Sequence, residues 1–262
     1  MTATFPISDA HLPARRRADI TNYVRLNGEA SVAELASHFQ VSIDTVRRDL
    51  DQLARTGLVA RTHGGAVPVS LNQVTPLSVR LGSNREAKER IAHAAAALIS
   101  DGETLIANGG STTLAFATAL EGRRDLTLVT NNLSIPHVMP PGICSSLYVI
   151  GGDYRADTDV TVGPVVLNGS AKVTVDTAVI GVHGISADLG FSSRVLEEAT
   201  MIAAMMQAAR RTVIVADSSK FGRRSFAMIA PIAEAAILVT DAALPDELAG
   251  LFRDSGVRIV VA

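Results

Sequence analysis

The fold turns on one stretch, Val41-Ser-Ile-Asp-Thr-Val-Arg-Arg-Asp-Leu-Asp-Gln-Leu53. At about 100° per residue, Val46, Leu50 and Leu53 fall within roughly 80° of Ile43, so the spacing predicts a helix that buries these four residues. The opposite face carries Asp44, Thr45, Arg48, Asp51, Gln52 and Arg55, with Arg47 on the flank. Ser42 is placed to cap the first turn. Donors thus collect at the outer, N-terminal end of a short amphipathic helix, where a duplex-reading helix needs them. Arg47 and Arg48 could instead only solvate the helix and pair with Asp44, Asp49 or Asp51, and the neighbouring segments decide between these readings.

Upstream, Ile20, Tyr23, Val24 and Leu26 fit one helix, and Val32, Leu35, Ala36 and Phe39 a second. Asn27-Gly28 stops the first, and Ser31 with Glu34 forms a capping box for the second. Gln40-Val41-Ser42 is a tight turn, which sets the third helix steeply across the second. Downstream, Leu58–Thr62, the turn His63-Gly64-Gly65 and Ala66-Val67 read as a hairpin. Its tip, with Arg61, Thr62 and His63, can lie along a phosphate backbone, and Arg15-Arg16-Arg17 adds charge to the same side. Three helices and a hairpin make a winged helix-turn-helix.

These residues carry a resemblance. Arg17–Pro68, with Ser31-Val-Ala-Glu-Leu-Ala, Thr45-Val-Arg-Arg-Asp-Leu and Thr62-His-Gly-Gly-Ala, resembles the DNA-binding head of the DeoR family of bacterial transcription regulators. The resemblance implies that the third helix reads double-stranded operator DNA. It points to Ser42, Thr45, Arg47 and Arg48 as contacts, with Arg17, Arg61, Thr62 and His63 beside them.

Beyond residue 84 the texture changes. Apolar runs recur at Thr104–Ala107, Leu126–Thr130, Leu147–Ile150, Thr177–Gly181, Thr212–Ala216, Ala236–Thr240 and Val257–Val261. Helical segments such as Arg85–Ile99, Thr112–Leu120 and Leu196–Ala209 lie between them. Strands apolar throughout are buried on both faces, and the alternation predicts an α/β domain with a mainly parallel sheet. The chain therefore divides into a flexible tail (1–13), a DNA-binding head (14–68), a linker (69–84) and a sensor domain (85–262).

In an open α/β sheet, ligands bind beyond the carboxyl ends of the strands. There stand Asn108-Gly109-Gly110-Ser111-Thr112-Thr113, Asn131-Asn132, Gly152 and Arg155, His183-Gly184, and Asp217 with Lys220. A glycine-hydroxyl turn opening a helix suits an anion, and together the groups suit a small phosphorylated, hydroxylated molecule. Each piece has a plainer reading: the turn as a mere connection, the asparagines as caps, Asp217 as Lys220's internal partner. The DeoR-family sensor domain is again similar, with Ala87-Lys88-Glu-Arg-Ile-Ala, Gly110-Ser-Thr-Thr, Thr130-Asn-Asn, Gly151-Gly-x-x-Arg155 and Asp217-Ser-Ser-Lys220 all present. That domain is similar in fold to ribose-5-phosphate isomerase and glucosamine-6-phosphate deaminase, and implies a sugar phosphate as effector. Two positions depart from the family pattern: Asn108 stands where aspartate is usual, and Ile202 where lysine is.

Composition bounds the rest. With 47% apolar and 19% charged residues among 262, the chain supports a large core and is not disordered. One cysteine, Cys144, excludes a disulfide scaffold and a Cys-based zinc finger. No leader pattern stands at the N-terminus and no apolar run approaches ~20 residues, so a cytoplasmic protein without a membrane span is expected. The net charge of −2 divides into about +1 for residues 1–70 and −3 for the remainder. Binding in the head must rest on placed arginines, not on bulk charge, and on two or more copies acting together. Neither a metal nor a cofactor motif is present. The expected function is a transcriptional regulator, most simply a repressor of a carbohydrate operon, acting as a dimer or tetramer. The alternative is an isomerase-like enzyme with an accessory DNA-binding head.

Overall fold

The computed structural model describes residues 13–27, 29–55, 58–62, 64–68, 76–163 and 173–262. The 1–12 part of the expected tail, the first part of the expected linker (69–75) and His63 lie outside the described residues. The chain falls into two compact units that divide between Gln73 and Val74.

The first unit runs α1 (Pro13–Asn27), β1 (Ala30–Ser31), α2 (Val32–His38), α3 (Ile43–Arg55), β2 (Val59–Arg61) and β3 (Gly65–Pro68). The capping box at α2 is present in both directions: Glu34 N–H donates to Ser31 Oγ and Ser31 N–H to the Glu34 carboxylate. Gln40 takes a left-handed turn, φ 52°, between α2 and α3. Ile20, Val24, Leu35, Val46, Leu50, Leu53, Val59 and Ala66 close one apolar core. Ile43 does not join it as the helical wheel predicts: it is 47% exposed, because the first turn of α3 projects past the core edge. A short strand not anticipated, β1, pairs with β3, making an antiparallel sheet in the order β1-β3-β2. Gly65 permits that pairing, since a Cβ there would stand 2.1 Å from the Ala30 carbonyl oxygen.

The second unit contains α4 (Leu77–Gly82), α5 (Arg85–Ala96), β4 (Thr104–Ala107), α6 (Ser111–Ala119), β5 (Leu126–Thr130), α7 (Ile135–Val138) and β6 (Cys144–Val149). It continues through β7 (Asp153–Arg155), β8 (Val160–Val162), β9 (Val175–Gly181), β10 (Gly184–Ser186), β11 (Gly190–Ser193), α8 (Leu196–Gln207) and β12 (Ala209–Val215). Then come β13 (Ala227–Ala230), β14 (Ile237–Thr240), α9 (Asp246–Asp254) and β15 (Arg258–Val261). Seven strands form one parallel sheet, in the order β15-β14-β12-β9-β4-β5-β6. All seven are the apolar runs read from the sequence. Successive residues supply two different cores: Ile106, Ala178, Ile180, Ile214 and Leu238 face one way, with α8 and α9, while Leu105, Val179, Val213, Val215 and Val239 face the other, with α5 and α6. Burial on both faces is why the five inner strands, β14, β12, β9, β4 and β5, read as apolar runs, while the edge strands β6 and β15 are partly exposed.

Part of the expected linker is folded. From Pro76 the chain turns into α4, Leu77 buries, and the Leu77 amide donates to the Asp157 carbonyl at 2.8 Å. Among the described residues, no helix is long and apolar enough to cross a membrane.

Candidate functional site

In the first unit, α3 presents its N-terminal end to solvent. Ser42 Oγ accepts from the Thr45 amide at 3.1 Å and shares a 2.8 Å hydrogen bond with the Thr45 hydroxyl, so the two hydroxyls form one cap-borne pair. Arg47 is exposed and reaches Asp44 at 3.4 Å. Arg48 is exposed and has no ion-pair partner among the described residues. Arg61 is tied twice, to Asp51 of α3 at 3.2 Å and to the Gly65 carbonyl at 3.3 Å, and so holds the hairpin against α3. Thr62 is exposed beside it, its amide donating to the Gly65 carbonyl, and Arg17 is half-buried on α1. The run Arg15-Arg16-Arg17 does not act as one patch. Arg16 turns inward and pairs with Asp49 at 2.6 Å, both side chains being under a tenth exposed. It ties α1 to α3 and is withdrawn from any outer surface.

In the second unit, the strand-end residues divide into those spent on the scaffold and those left to face a ligand. Asn108 Nδ2 donates to the Gly181 carbonyl at 2.9 Å while its Oδ1 accepts from the Gly181 amide at 2.8 Å. Asn131 accepts from the Gly109 amide and donates to the Thr161 carbonyl. Asn132 donates to the Gly110 carbonyl and accepts from the Ser134 amide. The Thr113 hydroxyl is used by the carbonyls of Asn108 and Gly110. These residues shape the rim without offering it free groups. Ser111 and Thr112 open α6, with hydroxyls that make no bond among the described residues. Arg155 is exposed on β7, follows Gly152 and pairs with Asp153 at 3.2 Å.

Asp217 is buried at the end of β12. Its Oδ1 accepts from the Ser219 amide at 3.1 Å and from Asn84 Nδ2 at 2.9 Å, while Oδ2 is buried without a partner. Burial opposes its charge, but Lys220, the Ser219 amide, Lys88 and Asn84 outweigh that and hold it below the usual carboxylate range. Burial lowers Lys220 to about 8; Asp217 opposes the fall, and Arg223, Lys88 and Arg194 add to it. Gly184 lets the Arg223 backbone approach, since a Cβ there would stand 2.4 Å from its carbonyl oxygen.

His183 shares a 3.2 Å hydrogen bond between its Nδ1 and Ser193 Oγ, and Ser193 in turn donates to the Glu198 carboxyl. Burial pushes His183 well below its usual range, with Arg80, Lys220 and Arg194 acting the same way. Burial pushes Glu198 up, against the Ser193 hydrogen bond and the cations Arg80 and Arg194. The 3.4 Å approach of His183 Nδ1 to Glu198 Oε2 is therefore a contact between groups driven toward neutrality, not an ion pair. His183 Nε2 is buried without a partner.

Strand-end reasoning missed several members of this cluster. Arg80 comes from α4, Lys88 from α5, Arg194 and Glu198 from the start of α8, and Arg223 from the connection before β13. Burial lowers all four of these cations. With Lys220 they form a chain of neighbouring charges: Lys220 feels Arg223, Lys88 and Arg194, Lys88 feels Arg80, and Arg80 feels Arg194, with Asp217, Asp157 and Glu198 as the acids among them. A small cavity of about 100 Å³ opens beside them, lined by Arg155, Asp157, Thr158, Val160, Val162, Val195 and Glu198. A site of this kind takes an anion with hydroxyl groups. Ile202, where the family pattern has lysine, packs in the apolar core one turn beyond Glu198 and adds no charge. Burial raises the Cys144 thiol, which weakens it as a nucleophile.

A winged helix-turn-helix joined to an α/β domain with an anion-attracting strand-end site defines a ligand-responsive transcriptional regulator. Residues 16–71 match the DeoR-like helix-turn-helix domain and residues 83–242 the DeoR C terminal sensor domain. The chain belongs to the DeoR family. It is 35% identical over 230 residues to the transcriptional repressor AccR of Agrobacterium fabrum, covering 86% of this chain and 88% of that one. It is 31% identical to the glycerol-3-phosphate regulon repressor of Escherichia coli, covering 94% and 97%. Among solved structures, ribose 5-phosphate isomerase A of Methanocaldococcus jannaschii aligns with a TM-score of 0.38 at 17% identity, over 53% of this chain and 55% of that one. The translation initiation factor eIF-2B of Pyrococcus horikoshii aligns at 0.39 and 16%, over 82% and 68%.

Proposed function

We propose that this chain is a cytoplasmic repressor of a carbohydrate-related operon that leaves its operator when a phosphorylated sugar or polyol binds at the strand ends. The observation that carries the reading is the convergence of Arg80, Lys88, Arg194, Lys220 and Arg223 on one buried, anion-demanding site. The names of relatives, among them a glycerol-3-phosphate regulon repressor, support the chemical class. In the head (14–68), Arg48 and Arg47 read base edges beside the Ser42–Thr45 hydroxyl pair, while Arg17, Arg61 and Thr62 touch phosphate. Two heads of a dimer, or four of a tetramer, engage half-sites about 34–36 Å apart or a multiple of that. In the body (85–262), Ser111, Thr112, His183, Asp217 and Lys220 hold the effector in a rim shaped by Asn108, Asn131 and Asn132.

The protein does no chemistry on this ligand. An isomerase needs an acid and a base across one carbon. Glu198 and Asp217 are pushed in opposite directions, yet neither is among the charges that perturb the other. A thermal-shift series over hexose and polyol monophosphates, followed by gel shifts on the operator, tests the reading. One class of phosphate ester raises the midpoint and releases the DNA. Turnover of that ester at ordinary enzyme rates would replace the repressor reading with the enzyme one.

A further inference from the structure

Arg80 stands outside the strand-end rim, on the helix that opens the second unit. Arg80 is half-buried, and its Nε is buried without a partner. Around it lie Glu198, Arg194 and Asp157, and it is felt in turn by His183 and Lys88, so it sits among the groups of the effector site. Desolvating a guanidinium is costly unless its donors are used. Yet the fold packs Arg80 against two other cations, Arg194 and Lys88. Such a placement is stable when an anion supplies the missing acceptors.

The helix that carries Arg80 is fastened to the same site at three further points. The Leu77 amide donates to the Asp157 carbonyl at 2.8 Å. Lys88 Nζ donates to the Arg80 and Ser83 carbonyls and so closes the C-terminal end of α4. Asn84, held left-handed at φ 52°, passes its amide to Asp217 at 2.9 Å. Each of these three points ends on a residue in or beside the effector site, and α4 is the first described element of the body after the head in chain order.

We infer that Arg80 is an effector-binding residue, donating its Nε–H to the effector's phosphate, and that α4 is the element whose placement the effector sets. This rests on the reading of the site as one for a phosphate ester. Ligand recognition and transmission then share one side chain. Filling the site tightens α4 on the body through Arg80, and Asn84 passes the same event from Asp217.

The test uses the full chain, with inorganic phosphate and a panel of sugar and polyol monophosphates as probes. Hydrogen exchange is followed across residues 77–88, and probe affinity is measured by calorimetry. In the unaltered protein, the ester that raises the melting midpoint also slows exchange across α4. Arg80→Gln, which keeps the shape and some hydrogen bonding, weakens that ester about 10- to 100-fold and abolishes the protection. Asn84→Gly tolerates the left-handed backbone and removes only the link to Asp217. It keeps affinity within about threefold and loses most of the protection. Unchanged affinity in Arg80→Gln would overturn the assignment of Arg80, and full protection in Asn84→Gly would overturn the role of α4. If no phosphate probe binds the unaltered protein, the phosphate-ester reading itself fails and takes this inference with it.

Discussion

The head and the body hold their charges in opposite ways. In the head, arginines are matched one by one to carboxylates of the same small scaffold: Arg16 to Asp49, Arg61 to Asp51, Arg47 to Asp44. Arg48 is left unmatched among the described residues, at the outer face of the reading helix. In the body, Arg80, Lys88, Arg194, Lys220 and Arg223 are all held below their usual range by burial, with Asp217, Asp157 and Glu198 as the acids among them. The head uses charge to fix geometry and leaves Arg48 exposed on α3. The body instead gathers several cations about one buried carboxylate, Asp217. Net charges of about +1 and −3 describe neither arrangement.

The contrast can be broken most forcefully at Asp49. Asp49→Ala strands Arg16 in the head core and lowers head stability by about 3–5 kcal/mol. Chemical denaturation followed in the head reads this directly. The double change Arg16→Met with Asp49→Leu recovers most of the loss, because the pair fixes geometry and its charge is not itself required. Next in size, Arg48→Ala costs about 1–3 kcal/mol of operator affinity in gel shifts and leaves the melting midpoint unchanged. An unaltered operator affinity would mean that α3 does not read through Arg48.

Lys220 sharpens the body side of the contrast. Burial has brought it to about 8. As pH rises through that value Lys220 loses its proton, while a phosphate monoester is already mostly dianionic above pH 7. Effector affinity therefore falls across pH 7–9, and in Lys220→Met the fall disappears along with about tenfold of the affinity at neutral pH. Calorimetry at a series of pH values measures both. The smallest effect is at Asp44. Its pair with Arg47 is exposed, so Asp44→Ala changes stability by less than about 0.5 kcal/mol. It modestly strengthens non-specific DNA binding and steepens the salt dependence by freeing one cation.

Much of this was legible because burial leaves a pattern. The five inner strands of the parallel sheet are buried on both faces, so each shows as an apolar run. Ser31 with Glu34, and Leu50 with Leu53, mark helices by spacing alone. Short elements were not visible: β1 has two residues, β10 (Gly-Ile-Ser) and β11 (Gly-Phe-Ser-Ser) are buried but too short and too rich in glycine and serine to show as apolar runs, and β13 (Ala-Met-Ile-Ala) has no period of its own. In the site, Asp217, Lys220 and His183 follow strands and were found by that rule. Arg80, Lys88, Arg194 and Glu198 come from helices or their approaches and were invisible to it. Nor does sequence tell which of three consecutive arginines turns inward. Arg16 does because its position on α1 meets Asp49 across the core.

Asn108 carries one last consequence. The pairing of β4 with β9 stops at Ala107 and Val179. Beyond that point the Asn108 side chain meets the amide and the carbonyl of Gly181 as another peptide group would. It acts as a detached piece of backbone, extending the ladder by one rung after the main chain has turned away. An aspartate, as in the family pattern, has no donor for the Gly181 carbonyl unless it keeps a proton. This chain thus holds a neutral strut, with no proton to lose, where the family pattern has an ionisable group.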